Sequence, residues 1–261
     1  MGVRRVGRPV IGPGAAAASS AGASSAAANG PGAASAPGPG AGAALAPTDR
    51  RVGILGGTFD PIHYGHLVIA EQVREALSLD RVLFVPAAVP PHRIGLAITP
   101  AEDRAALVEL AIAGNSSFAV SRMELQRDGP SYTADTLQIL VDEAAREGVA
   151  RDLFFILSTE ALAGLGTWRD PDRILSLCRL AVVPRPGTPP PDRRQLEAQF
   201  GDSAGRIVEV ATVPQAHSAS AVRARAAAGL SIRYLVPPAV EAYICDHRLY
   251  LSDNPSEDRP K

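Results

Sequence analysis

Residues 56–67 read Gly-Gly-Thr-Phe-Asp-Pro-Ile-His-Tyr-Gly-His-Leu, and no other segment of this chain says as much about its fold. They follow a short apolar run, Val52 to Leu55, that predicts a buried β-strand. They lead into a helical pattern whose apolar residues share one face: Leu67, Ala70, Val73 and Leu77. Two glycines therefore end a strand, and two histidines three residues apart begin a helix.

This strand–turn–helix junction favours a bound anion. Exposed backbone N–H groups and the positive end of the helix dipole both attract negative charge at a helix start. The glycines let a phosphate approach the backbone, and imidazoles can donate hydrogen bonds to its oxygens. The residues of this predicted nucleotide phosphate site are Gly56, Gly57, Thr58, Phe59, His63 and His66.

Other binding motifs do not fit the segment. A Walker A loop needs Lys and then Ser or Thr after its second glycine, and neither follows here. The dinucleotide fingerprint Gly-x-Gly-x-x-Gly fails on the spacing of Gly53 from Gly56. The zinc motif His-Glu-x-x-His fails because Tyr64 follows His63. A tight turn with two structural histidines is the remaining alternative.

Further motifs follow in order along the chain. Residues 90–93 read Pro-Pro-His-Arg, and residues 130–137 read Pro-Ser-Tyr-Thr-Ala-Asp-Thr-Leu. Trp168, Arg185-Pro186-Gly187 and the run 232–237 (Ile-Arg-Tyr-Leu-Val-Pro) come after them. On these residues the chain resembles the nucleotidyltransferases with a His-x-Gly-His motif and, more narrowly, the bacterial nicotinate-nucleotide adenylyltransferases. The Ser-Tyr-Thr segment separates that group from relatives acting on other nucleotides.

The resemblance implies an adenylyl transfer. Nicotinate mononucleotide would attack the α-phosphorus of ATP in line and release pyrophosphate, giving nicotinate adenine dinucleotide for NAD synthesis. His63 and His66 are implied as the catalytic residues, acting by positioning and charge neutralisation. Mg²⁺ is expected with ATP, held by phosphates and water, so no protein metal site is predicted. Asp60 is the nearest carboxylate, with shaping of the turn as its alternative role.

Two further sets of residues are implied to bind the substrates. Those for the ATP phosphates are Arg93, Ser218 and Arg223. Those for nicotinate mononucleotide are Thr133, Glu160, Trp168 and Arg185. Simpler alternatives exist, since Arg93 could be a solvated surface side chain, Thr133 a helix cap and Trp168 a core anchor.

The chain departs from the family pattern at two places. Relatives read Gly-Ala/Thr-Asp where this chain has Ser158-Thr159-Glu160, so a side chain stands where backbone is expected close to a ligand. Glu160 keeps the carboxylate with one more methylene. Relatives read Ile-Ser-Ser-Thr-x-Ile-Arg where this chain has Ser218-Ala219-Ser220 and then Arg223, so one hydroxyl is lost from a helix start that keeps its N–H groups.

Two other functions stay open on these residues. A sibling transferase would use nicotinamide mononucleotide or phosphopantetheine, although Ser131-Tyr132-Thr133 argues against phosphopantetheine. A nucleotide-binding regulator without turnover would account for the departures at Ser158 and Ala219, although both histidines of the motif are intact.

Composition divides the 261 residues into three parts. From Gly12 to Pro47 all but two residues are Ala, Gly, Pro or Ser, which predicts a disordered tail over residues 1–48. A transit peptide is an alternative for this Arg-, Ser- and Ala-rich segment, whereas a signal peptide would need an apolar core. Residues 49–252 are predicted to form one catalytic domain, and residues 253–261 a polar C-terminal tail.

Charge and polarity exclude several classes of partner. The net charge is −1, so the chain as a whole has no basic field for nucleic acid. No apolar run approaches the length of a membrane span. Cys178 and Cys245 lie in apolar surroundings without metal-ligand spacing, which predicts buried thiols and a cytoplasmic enzyme. Assembly into a homo-oligomer stays open.

Strand and helix patterns alternate after residue 50. Predicted strands cover 52–55, 82–85, 118–120, 153–157, 180–183 and 207–210. Predicted helices after the first cover 99–113, a segment from Ser131 or Thr133 to about 148, 218–229 and 237–247, with a capping box at residues 99–102. The alternation predicts an α/β fold, a Rossmann-like doubly wound parallel sheet in a single domain, with the motif loops at its ligand-binding edge.

Overall fold

The computed structural model describes residues 45–185, 187–213 and 215–251, which belong to one compact unit. The predicted tails, 1–48 and 253–261, therefore lie outside the described residues except for 45–48. Leu45 packs against buried side chains on one face of the sheet, and the N–H of Ala46 donates to the Asp49 carboxylate at 2.8 Å. The packed region begins before the predicted boundary at residue 49.

Six strands and eight α-helices form this region. The strands are β1 (Arg51–Gly57), β2 (Arg81–Pro86), β3 (Phe118–Val120), β4 (Asp152–Ser158), β5 (Arg179–Val183) and β6 (Ile207–Glu209). The helices are α1 (Tyr64–Ala76), α2 (Ala101–Ile112), α3 (Thr133–Arg146), α4 (Thr159–Ala163), α5 (Pro171–Leu177), α6 (Arg193–Phe200), α7 (Ala219–Ala227) and α8 (Pro238–Asp246). Short 3₁₀ turns lie at Pro91–Arg93, Leu165–Thr167 and Gly201–Arg206.

All six strands are parallel and lie in the order β3-β2-β1-β4-β5-β6. The chain winds outward from β1 through β2 to β3, then crosses back to β4 beside β1 and winds the other way. The point of reversal lies between β1 and β4, where sheets of this kind open a crevice at the carboxyl ends of their strands. The predicted Rossmann-like doubly wound fold is confirmed.

Alternating side chains of the central strands pack on opposite faces of the sheet. Leu55 of β1 belongs to a core with buried residues of α1, α2, α7 and α8, whereas Ile54 belongs to a second core with α3, α4 and α5. Phe154 and Phe155 of β4 divide in the same way. This period of two, with apolar residues in both phases, is typical of a parallel strand covered by helices on both faces.

The predicted caps of two helices are wrong. Pro100 is the N-cap of α2 and makes no side-chain cap bond, so the capping box at residues 99–102 does not form. Tyr132 is the N-cap of α3, again without a side-chain bond, and the Ser131 hydroxyl instead accepts from the N–H of Ala88 at 3.1 Å. In both loops, contacts with other parts of the chain replace the predicted side-chain caps.

Two other local predictions need correction. Cys178 is buried as predicted, but Cys245 is exposed, because it lies on the solvent side of α8 near its end. Helices α4, α5 and α6 were not predicted, since α4 and α5 are short and no residue of α6 is fully buried. None of the described helices is long and apolar enough to cross a membrane.

Deletion of residues 1–44 is expected to leave both the melting temperature and the activity unchanged, because residues 12–44 are Ala, Gly, Pro and Ser apart from Asn29 and the segment offers few core-forming side chains. Deletion through residue 49 provides the contrast. It removes the packing of Leu45 and the Asp49 carboxylate, which accepts from Arg81 at 2.7 Å, and should lower the melting temperature. Thermal denaturation of both truncations checks this, and a loss of activity from the shorter deletion would contradict it.

Candidate active site

The carboxyl ends of the central strands meet at one edge of the sheet. Gly57 of β1 lies beside Pro86 of β2, and Ser158 of β4 lies beside Val183 of β5. The loops after these four strands therefore gather at the same edge, as the sequence predicts. Motif residues 56–67, 90–93, 158–160 and Arg185 lie at or directly after the ends of these strands. Two other motifs meet these loops through backbone bonds: the N–H of Ser131 donates to the carbonyl of Val89 at 2.9 Å, and the N–H of Tyr64 donates to the carbonyl of Leu235 at 3.0 Å.

The two motif histidines lie at the start of α1. His63 is its N-cap and is buried, and His66 lies one turn further on with its ring stacked on that of His63 at 3.8 Å between centroids. The backbone N–H of His63 donates to Nδ1 of His66 at 3.2 Å. Because Nδ1 accepts, a neutral His66 carries its proton on Nε2, which is left to donate to a ligand.

Both histidines are held in the neutral form. Burial lowers the pKa of His63 to about 4, and the neighbouring His217 and Arg185 act in the same direction. Burial also brings the pKa of His66 well below its usual value, with His63 and Arg185 acting in the same direction. A bound polyphosphate would oppose these effects by placing negative charge beside the rings. The two neutral rings therefore offer N–H donors to an anion at the start of α1.

The start of α7 lies beside the loop after β1, which contains the predicted nucleotide phosphate site. Ser218 is the N-cap of α7, and its hydroxyl accepts from the N–H of Ala221 at 3.2 Å. Arg223 reaches across to the loop after β1, where its guanidinium donates to the carbonyl of Asp60 at 2.6 Å. Two helix N-termini, those of α1 and α7, therefore lie beside one loop, so the two predicted phosphate segments form a single region.

The Asp60 side chain is bonded to a residue near the C-terminal end of the described chain. It is buried, and its Oδ1 accepts from the hydroxyl of Tyr250 at 2.8 Å. The Asp60 carboxylate is therefore engaged in a structural contact, which joins the turn after β1 to the segment after α8. Over the described ranges, no group of three or more His, Cys, Asp or Glu side chains could hold a metal ion.

A cavity of about 430 Å³ opens between β1, β2 and the first turn of α3. Five predicted site residues are among those that line it: Gly56, Gly57, Thr58, Thr133 and Trp168. Trp168 packs its ring edge to face against Phe155, with the centroids 6.0 Å apart, so it both anchors the core and forms the cavity wall. The size and the aromatic wall suit a planar ring of a small ligand.

The start of α3 supplies backbone N–H donors to this cavity. Thr133 is the first residue of α3, and the N-cap, Tyr132, offers no side-chain bond to the N–H groups behind it. The first N–H groups of a helix have no intrahelical acceptor, and the helix dipole adds a partial positive charge. The cavity wall therefore presents donors suited to a carboxylate or another acceptor.

Besides Ser218 and Arg223, the predicted substrate residues Arg93, Glu160 and Arg185 lie outside the cavity lining. Arg185 pairs with Glu160 at 2.6 Å, and both side chains are largely exposed. Arg185 nevertheless lies close enough to the motif histidines to lower their pKa values. Arg93 lies in the 3₁₀ turn after β2, where its neighbour His92 lines the cavity instead. Phe59 is also outside the lining, buried edge to face against His66.

The departure at Ser158 has a structural use. Ser158 has φ −81°, an ordinary conformation, so no glycine is required there. Its hydroxyl accepts from the N–H of Ala161 at 3.2 Å and caps α4, while the Thr159 hydroxyl donates to the carbonyl of Val183 at 3.2 Å. The Ser158 side chain, which replaces the family's glycine, thus binds neighbouring backbone.

Sequence reasoning missed three polar residues at this edge: Arg104, Glu124 and His217. Arg104 is fully buried and donates to the carbonyls of Thr58, Ala88 and Thr99 at 2.6, 3.2 and 2.9 Å. The signal was its position on the apolar stripe of α2, four and eight residues before Val108 and Ile112. A charged residue on a buried stripe calls for partners.

The other two residues are Glu124 and His217. Glu124 is buried in the cavity wall, where it accepts from the Thr136 hydroxyl, and burial raises its pKa. His217 lies in a loop, and its ring is stacked on that of His63 at 6.2 Å between centroids. Glu124 lies in neither a periodic pattern nor a quoted motif. His217 stands directly before Ser218, where the family pattern has Ile, so a polar residue at an apolar position was a signal that sequence reasoning did not use.

Known proteins resemble this chain over most of its length. A model of the cytidylyltransferase-like family matches residues 54–225. A protein of Roseiflexus sp. (strain RS-1) is 48% identical over 199 residues, which cover 76% of this chain and 97% of that protein. One of Thermomicrobium roseum is 44% identical over 200 residues, covering 77% and 91%. Both are described as probable nicotinate-nucleotide adenylyltransferases.

A solved structure agrees with the fold. Plasmodium falciparum nicotinic acid mononucleotide adenylyltransferase, complexed with NaAD, superposes with a TM-score of 0.63 over 77% of this chain and 97% of that one. The identity is 15%, so this likeness concerns the fold alone. The family model and the two relatives lead to one conclusion: the chain belongs to the cytidylyltransferase-like nucleotidyltransferases and, within them, to the nicotinate-nucleotide adenylyltransferases.

Proposed function

We propose that the chain joins nicotinate mononucleotide to the AMP part of ATP, giving nicotinate adenine dinucleotide and pyrophosphate in NAD synthesis. The proposal rests on one observation: consecutive residues of the chain connect the cavity to the histidine pair. Gly56, Gly57 and Thr58 line the cavity, and the same loop continues into the histidine pair at the start of α1. A ring in the cavity would thus have its phosphate delivered beside the donors that hold the phosphates of ATP.

On the phosphate side, the proposed catalytic residues are His63 and His66. Their neutral rings would donate to the oxygens of the α-phosphate region, where negative charge builds up as the entering and leaving oxygens pass through the in-line transition state. The start of α7, with Ser218 and Arg223, would hold the remaining phosphates, and Arg93 and Arg185 would add charge at the rim. No covalent enzyme intermediate is required, so positioning supplies most of the catalysis.

On the mononucleotide side, Thr133 and Trp168 are the proposed ring-binding residues. Trp168 would stack on the pyridine ring, and the uncapped start of α3 would receive its carboxylate. Glu160 would act at a distance, since its carboxylate is paired with Arg185 and thereby holds that guanidinium near the phosphate site.

Mg²⁺ is proposed to enter as part of the Mg²⁺–ATP substrate. It would offset charge on the phosphate oxygens, and phosphates and water would be its main ligands. The residues around the site fit this arrangement, because they are mostly donors. We also propose a cytoplasmic location, to which the two free thiols, Cys178 and Cys245, are suited.

The direct test is release of pyrophosphate from ATP and Mg²⁺ with three acceptors in parallel: nicotinate mononucleotide, nicotinamide mononucleotide and phosphopantetheine. Turnover with the first supports the proposal. Turnover only with another acceptor would assign a sibling activity. Nucleotide binding without any turnover would identify the chain as a regulator.

Nicotinate mononucleotide is expected to be the better of the two pyridine substrates. A carboxylate accepts from the donors at the start of α3, whereas an amide brings N–H groups of its own to the same place. Unpaired buried donors cost about 1–3 kcal/mol each, so the preference in kcat/KM should be about tenfold to a hundredfold or more. Competition of the two substrates measures it, and equal kcat/KM values would refute the proposed role of α3.

A further inference from the structure

Two buried ring nitrogens distinguish the site from the rest of the molecule. Among the buried side-chain nitrogen and oxygen atoms of the described residues, only Nδ1 of His63 and Nδ1 of His217 lack a hydrogen-bond partner. An unsatisfied buried polar group costs about 1–3 kcal/mol. Two such groups on adjacent rings indicate a place built for a ligand or for catalysis rather than for stability.

His217 lies beside the motif at Gly65. Its ring is within 22° of parallel to that of His63, at 6.2 Å between centroids. A Cβ added to Gly65 would lie 3.0 Å from the Cβ of His217 and 3.0 Å from Nδ1 and Cε1 of His63. The absence of a side chain at position 65 therefore leaves room for both histidines. His217 is only partly buried, so with Nδ1 enclosed, Nε2 is the nitrogen left to meet a ligand.

The surroundings of His217 are rich in donors and cations. Its neighbour Ser218 caps α7, and Arg223 of that helix holds the carbonyl of Asp60. Burial lowers the pKa of His63, and His217 and Arg185 act in the same direction. The nearby carboxylates are already engaged, Glu160 by Arg185 and Asp60 by Tyr250. Such a region is stabilised by an anion with several charges.

We propose that His217 is a third histidine of the triphosphate subsite, donating from Nε2 to ATP phosphate oxygens and setting the position of the His63 ring. The inference rests on the proposed function, because it names a further binding residue for the same ATP. A metal role does not fit, since the described residues contain no cluster of three metal-ligating side chains. A purely structural role does not fit either, since its buried nitrogen bonds to nothing that the structure describes.

The test uses His217→Phe, which keeps a flat ring without nitrogens, and His217→Gln, which keeps an N–H donor. Because a hydrogen bond to a charged group contributes about 1.5–3 kcal/mol, His217→Phe should raise KM for ATP by about tenfold or more. KM for nicotinate mononucleotide should stay unchanged, and His217→Gln should restore part of the ATP affinity. Calorimetric binding of inorganic tripolyphosphate should weaken in parallel in the phenylalanine variant.

His247→Ala is the matched control. His247 is exposed, and its ring stacks on Tyr243 at the end of α8, so its loss should change neither KM.

Unchanged tripolyphosphate binding and ATP KM in both His217 variants would overturn the inference, and so would an equal rise in both substrate KM values. If His217→Phe folds poorly, KM for ATP and tripolyphosphate binding of His217→Gln and His217→Asn still test the inference. Failure of the wild type to make nicotinate adenine dinucleotide would overturn the proposed function instead, while tripolyphosphate binding would still test His217.

Discussion

His66→Ala is expected to lower kcat by at least ~10²-fold, the scale for losing one preorganised donor to transition-state charge. Nε2 of His66 is the nitrogen that carries the proton, because Nδ1 accepts from the N–H of His63. The alanine variant loses that donor and also leaves the N–H of His63 without its acceptor. Steady-state kinetics with saturating ATP and nicotinate mononucleotide measures the effect.

His66→Asn separates the two roles of the side chain. Its Oδ1 can still accept from the N–H of His63, but the donor at Nε2 is gone. We expect the asparagine variant to melt like the wild type and to remain slow. His247→Ala should be fully active. A turnover of His66→Ala equal to that of the wild type would remove His66 from the catalytic residues.

Arg104→Met is expected to reduce both stability and activity. Its guanidinium ties together the carbonyls of Thr58, Ala88 and Thr99, and none of its side chain reaches solvent. Unpaired buried carbonyls cost about 1–3 kcal/mol each, so a loss of about 3 kcal/mol or more in the free energy of unfolding follows. For a domain of this size, the melting temperature should fall by about 6–12 °C.

The activity of Arg104→Met should fall by more than the loss of folded protein explains. Thr58 lines the cavity in the loop that leads to His63, and a misplacement of about 1 Å can cost on the order of 10²-fold in rate. Arg193→Met is the control, since Arg193 is an exposed partner of Glu197 and such pairs contribute about 0–1 kcal/mol. Measurement well below the melting temperature separates the two effects, and wild-type kcat/KM there would show that Arg104 serves stability alone.

Much of the fold follows from local patterns. The apolar runs at β1, β2, β4 and β5 predict their own burial, because a strand covered on both faces must be apolar in both phases. Alternation with helices then imposes parallel pairing and one ligand-binding edge. The caps of α2 and α3 were mispredicted, because Pro100 rather than Thr99 is the N-cap of α2 and the hydroxyl of Ser131 accepts from the N–H of Ala88 in another loop.

By itself, the sequence determined the strands and the doubly wound class of the sheet, since period and turn chemistry are read over a few neighbouring residues. It also predicts a phosphate role for residues 56–67, and that role stays a prediction. Only the tertiary structure decided that Arg104 is buried, that Glu160 pairs with Arg185 and that His217 lies against His63. These contacts join residues far apart in the chain, and their free energy depends on distance and burial, which no local pattern specifies.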